Sequence, residues 1–91
     1  MFDWDQSNID HIARHRVLSQ EVEQVLSNDP FDMSYEFVHG EERWTSIGHT
    51  NMLRVLRIIW TMRVEAVRVV TAHDAPGHER RKYFRAKAIH S

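Results

Sequence analysis

The sequence predicts a single α+β domain, with N-terminal helices packed on an antiparallel sheet of about four strands and a closing C-terminal helix. Three observations carry this. Apolar residues recur at helical spacing before residue 28, they alternate with polar ones from 31 to 72, and a Pro-led, highly charged stretch follows residue 74. At 91 residues the chain can bury somewhat over ~60% of its unfolded surface. No repeat, linker or low-complexity segment divides residues 1–91.

Taken in order, Phe2-Asp3-Trp4-Asp5 alternates as a short strand with one buried face does. Asp5 or Ser7 can cap a first helix, in which Ile9, Ile12 and Ala13 share a face. Ser19 is the expected N-cap of a second helix, with Glu21 in its first turn at the positive end of the dipole. Val22, Val25 and Leu26 form its apolar stripe, and Asn28-Asp29-Pro30 ends it, since proline disfavours a helical residue before it.

Phe31 to Phe37 alternates without a break, which marks a half-buried strand. A turn over Val38–Glu41 leads to a strand from Arg43 to Gly48, and a turn over His49–Met52 leads to the strongest strand, Leu53 to Met62. A short turn around Val64-Glu65 then precedes a strand from Val67 to Ala72. An even-length hairpin loop pairs Thr61 with Arg68 and Trp60 with Val69. That register puts Arg57, Arg63 and Arg68 on one face and Leu56, Ile58, Trp60 and Met62 on the other, core face. Trp4, Trp44 and Trp60 each lie in an alternating segment and read as core rather than as platforms for bases. Asp74-Ala75-Pro76 opens the last helix, with proline in the first turn, where its missing N–H costs little.

The chain has no cysteine, which excludes a disulfide framework, a thiolate nucleophile and a zinc–thiolate site. No apolar run approaches the ~18 residues of a membrane span, and Met1–Asp5 lacks a basic-then-apolar leader. A reducing, cytoplasmic setting is the expectation. The net charge of −1 hides a division. Residues 1–45 carry three arginines against ten carboxylates, and residues 46–91 carry nine basic groups against three acidic ones, giving −7 and +6. Either the halves neutralise each other across the fold, or one basic surface is available to a polyanion. Seven of those nine basic residues are arginine, whose planar fork grips phosphate bidentately where lysine acts as a point charge.

Among candidate chemistries, His11 and His15 have a metal-capable spacing, but no accompanying Glu or third ligand is evident, so a structural pair is the simpler reading. No glycine-rich phosphate loop and no nucleophile motif is present, and no cofactor or metal is expected. Arg63, Arg68, His73, Arg80 and Tyr83, near strand ends and on the closing helix, supply what metal-free RNA cleavage requires. One group takes a proton from the ribose 2′-OH, another protonates the leaving oxygen, and cations stabilise charge developing on phosphorus. His73 suits proton transfer because an unperturbed imidazole titrates near ~6.5. Glu42 is a further candidate, as proton acceptor or as ion-pair partner of an arginine.

These residues resemble the BrnT family, the toxin half of a bacterial type II toxin–antitoxin pair. The resemblance runs through Trp4-Asp5, Asn8, His15, Val17, Asn28-Asp29-Pro30 and Gly40-Glu41-Glu42-Arg43-Trp44 to Ile47-Gly48. It continues through Thr61-Met62-Arg63, Arg68-Val69-Val70-Thr71-Ala72, Glu79-Arg80 and Tyr83. It implies a RelE-like fold, metal-independent ribonuclease activity on RNA, and inhibition by a BrnA-like antitoxin, with a homodimer or a toxin–antitoxin hetero-oligomer as possible assemblies. The chain departs from the family at His73-Asp74, where two basic residues are usual, and at Arg16, where glycine is usual. The alternative is a non-catalytic RelE-like module that binds nucleic acid or a partner protein.

Overall fold

The computed structural model describes residues 1–90. Helices α1 (Gln6–Ala13) and α2 (Ser19–Ser27) precede strands β1 (Phe31–Val38), β2 (Glu41–His49), β3 (Val55–Arg63) and β4 (Ala66–Asp74), and α3 (Gly77–His90) closes the chain. The strands form one antiparallel sheet in the order β1-β2-β3-β4. The α+β class and the element order match the expectation from sequence.

Asp5 caps α1 by accepting the Asn8 N–H at 2.9 Å, while Asn8 Oδ1 accepts the Asp5 N–H at 3.0 Å. These bonds satisfy two donors that a helix start leaves open. Asn8 then donates its amide to the Val69 carbonyl at 2.8 Å, fastening α1 to the outer edge of β4. In α2 the cap residue is Leu18, not Ser19. Leucine offers no acceptor, and Glu21 compensates by accepting the Leu18 N–H at 3.0 Å. The expected N-terminal strand shrinks to a single parallel bridge between Phe2 and Val67, because Asp5 must already turn the chain into α1.

One sheet face packs against α1 and α2. Its core comprises Ile12, Val17, Val22, Val25, Leu56, Ile58, Val69 and Ala72, with Trp4, Leu26 and Trp60 packed against it. Gly48 lets α2 approach closely, since a Cβ there would sit 3.0 Å from the Val25 side chain. Met62, expected in this core, is 45% exposed because it lies at the far end of β3. The opposite face carries α3 at one end only, where Tyr83 packs with Ile47, Val55 and Ala75 against Phe31 and Met33.

Two of the three strand connections turn through two residues, His39-Gly40 and Val64-Glu65, all with positive φ. That backbone matches the twist of the strands it joins. Val64, at φ 47°, is a β-branched residue in a region that favours Asn or Gly. The β3–β4 register is the expected one, with Thr61 opposite Arg68 and Trp60 opposite Val69. Val70 is an extra residue between the pairs Ile59–Thr71 and Trp60–Val69, a bulge that the alternation does not announce.

Candidate active site on the arginine face of the sheet

Strand pairing gathers arginines onto the face that α1 and α2 leave uncovered. Residues 57, 59, 61 and 63 of β3 share this face by alternation. Arg68 joins them opposite Thr61 and His73 opposite Arg57. Arg43 lies on β2 opposite Glu36. It lines two adjoining depressions: one with Thr61, Arg63 and Arg68, the other with Glu36, Thr45, Arg57 and Ile59. Together they form a shallow groove crossing the sheet, ending near α3.

Carboxylates anchor most of these guanidinium groups by one edge. Arg43 Nε meets Glu41 at 3.1 Å and Arg57 Nε meets Glu79 at 3.2 Å. Arg68 Nη2 donates to Asp5 at 2.8 Å, with Asp3 at 3.5 Å from its Nη1. Arg63 is exposed and has no acidic partner among the described residues. Arg43 Nε hydrogen-bonds to Glu41, while Arg57 Nε has only an ion contact with Glu79, whose buried Oε1 makes no hydrogen bond among the described residues. The two Nη nitrogens of each arginine are left for a ligand, the edge that suits a phosphate. The Asn8 N–H and then the Arg68 guanidinium hold the Asp5 carboxyl below its usual range, and Asp5 in turn raises the Arg68 pKa.

His73 Nδ1 lies 2.8 Å from the carbonyl oxygen of Asp74. A carbonyl can only accept, so Nδ1 carries the proton and Nε2 holds the lone pair of the neutral ring. The His15 ring lies 5.8 Å from that of His73 and 6.0 Å from that of His11. His11 meets the Thr71 hydroxyl at 3.2 Å. Among the described residues no group of three or more His, Asp or Glu is arranged to hold a metal.

The six residues singled out from sequence therefore separate. Arg63 and Arg68 line one depression, and His73 sits on the same face across from Arg57. Arg80 stands at the end of the sheet with Leu53, Arg54, Asp74 and Phe84. Tyr83 is 1% exposed inside the α3 core, where burial raises its pKa. Glu42 belongs to the other face, opposite Phe37, and accepts the Tyr35 hydroxyl at 3.1 Å. The groove's own additions are Arg43, Arg57 and Glu79. Arg57 could be placed on this face by alternation, but its contact with Glu79 depends on how α3 docks, which no local pattern encodes.

The segregated charge is partly neutralised across the fold. Arg54 meets Glu21 at 3.0 Å, Arg68 meets Asp5 at 2.8 Å and Lys87 meets Asp29 at 2.8 Å, each joining a late cation to an early acid. Arg43, Arg57 and Arg63 are not used in this way. No helix of the described residues is long and apolar enough to cross a membrane.

No curated protein matches the chain. Residues 4–79 match the model of a family described as the ribonuclease toxin BrnT of type II toxin–antitoxin systems, a family that has RNA as substrate and an antitoxin as partner. The match spans the arginines of the groove, His73 and Glu79, and stops before Arg80 and Tyr83. The chain belongs to the BrnT family of ribonuclease toxins.

Proposed function

We propose that the chain is a cytoplasmic toxin that cleaves RNA without a metal, using the arginine groove on the sheet face that α1 and α2 leave uncovered. The single observation behind this is the convergence of Arg43, Arg57, Arg63 and Arg68 with His73 on that face. RNA laid across it meets guanidinium groups from three strands. Arg43, Arg63 and Arg68 hold the backbone, and Arg57, beside His73, stabilises the charge that grows on the scissile phosphate. Glu79 is a positioning residue, drawing the Arg57 guanidinium by an ion contact of 3.2 Å at Nε.

The lone pair on His73 Nε2 takes the proton of the ribose 2′-OH. The resulting alkoxide attacks the adjacent phosphorus and the bond to the 5′ oxygen breaks. His15, whose ring lies 5.8 Å from that of His73, gives a proton to that leaving oxygen. The products are a 2′,3′-cyclic phosphate and a 5′-hydroxyl, so atoms and protons balance with no added reactant. Tyr83 acts by packing rather than by touching RNA, and Glu42 and Arg80 stand outside the reaction.

The test is incubation of purified protein with single-stranded RNA in excess chelator, with the end groups of the fragments identified. Cyclic-phosphate ends, lost in both Arg57→Ala and His73→Ala, support the mechanism. Cleavage that requires a divalent ion contradicts it. Binding that weakens steeply with salt and yields no product would favour the non-catalytic module instead, a reading kept because His73-Asp74 stands where the family usually has two basic residues.

A further inference from the structure

We propose that the aromatic row on the helix-side face of the sheet, continued by the open edge of β1, is the docking surface for an extended, basic segment of the antitoxin. This rests on the toxin–antitoxin partnership of the family. The register sets Tyr35 opposite Trp44 and Trp44 opposite Trp60, so three rings cross three strands side by side. Their centroids stand 5.6 and 4.7 Å apart. Phe37, 68% exposed, and Met62, 45% exposed, extend the row beyond the reach of α1 and α2. Together with Gly40 and Glu42 they line a depression beside Trp44.

The two sheet edges are treated differently. The outer edge of β4 is covered by the Phe2 bridge and by the Asn8 amide on the Val69 carbonyl. β1 is the other terminal strand, and no described strand pairs with its outer side. An uncovered strand beside exposed aromatic side chains is a template for strand addition, in which main-chain bonds supply affinity and side-chain pockets supply selectivity.

Charge selects the occupant. Around the row the strands present Asp32 and Glu42 and no lysine or arginine. A polyanion is repelled here, which leaves RNA to the opposite face. A second copy of the chain is disfavoured as well, because β1 carries Asp32 and Glu36 with no basic residue, and pairing it with itself brings like charges together. An added strand bearing Arg or Lys meets the carboxylates and can place its cations over Tyr35, Phe37 or Trp44.

The test measures binding of the full chain to its cognate antitoxin for Phe37→Arg and Met62→Arg, changes at exposed positions outside the arginine groove. Both should bind the antitoxin at least ~30-fold more weakly, the effect of losing an interface hot spot, while RNA cleavage stays within about twofold. Wild-type affinity in both variants overturns the surface alone. Failure of the wild-type chain to bind any antitoxin overturns the surface together with the partnership it rests on. A toxin that sediments as a dimer on its own, and as a monomer in Phe37→Arg, assigns the surface to a second copy and also overturns it.

Discussion

The two faces of the sheet use the same strands for opposite chemistry. On one face alternate residues are Arg43, Arg57, Arg63 and Arg68; on the other they are Trp44, Trp60, Tyr35 and Glu42. A period of two is enough to give one sheet a basic side and an acidic, aromatic side, and a one-residue slip in register would scramble both. Overall neutrality is then no guide to local charge, because each face carries its own.

The largest effect expected from this division is on catalysis. His73→Ala should lower the rate of RNA cleavage by at least ~100-fold, the usual worth of a positioned proton carrier. Fragment yield over time measures it, with Arg57→Ala falling into the same range if the two groups act together. Tyr83→Ala should cost about 3–5 kcal/mol of stability by emptying the α3 core, whereas Tyr83→Phe should fold and cleave nearly as the wild type does. Denaturant melts beside activity assays separate these, and a Tyr83→Phe protein that folds without cleaving would return Tyr83 to the chemistry.

Tyr83 also marks where the sequence stops being readable. Its helix carries six charged residues among fourteen with no amphipathic stripe to signal that one ring turns inward, and a basic helix makes tyrosine look available to RNA. Burial there is set by Ile47 and Val55, residues far away in the chain that only the folded sheet brings under α3. The β3–β4 pairing was legible for the opposite reason. A two-residue loop and the alternation beside it are local, and they set Thr61 against Arg68 and hence the arginine face. Glu42 falls between these extremes. The motif around it is visible, but its face depends on the β1–β2 register, in which it falls opposite Phe37. Met62 alternates correctly and is nonetheless half-exposed, since alternation names a face without saying how far the helices cover it.

Smaller effects sharpen the contrast. Arg63→Ala should weaken RNA binding about tenfold and reduce its salt dependence by about one released counterion, while leaving antitoxin binding intact. A titration at several salt concentrations checks both. Val64→Asn should raise stability by ~1 kcal/mol, because asparagine accepts the positive φ that strains a β-branched residue. Thermal melts decide it, and an unchanged melting temperature would show that the turn stores no strain.

The smallest effect concerns acid. The Arg54 guanidinium holds Asp74 below its ordinary value of 3.8. A depressed folded pKa contributes stability that is fully present above 3.8 and is lost as pH falls through the folded value. Asp74 is 69% exposed, so after screening by solvent the contribution is less than ~1 kcal/mol. Asp74→Asn should therefore flatten the loss of stability below about pH 4 without altering RNA cleavage at neutral pH.

The division of labour between the faces is tested most directly by nuclear magnetic resonance of the full chain titrated with an RNA whose 2′-hydroxyls are replaced by hydrogen, which binds but cannot be cleaved. The side-chain Nε–H signals of Arg43, Arg57 and Arg68 should shift while the indole N–H of Trp44 stays in place. Movement of the Trp44 signal with stationary arginine signals would put RNA on the wrong face and contradict the account.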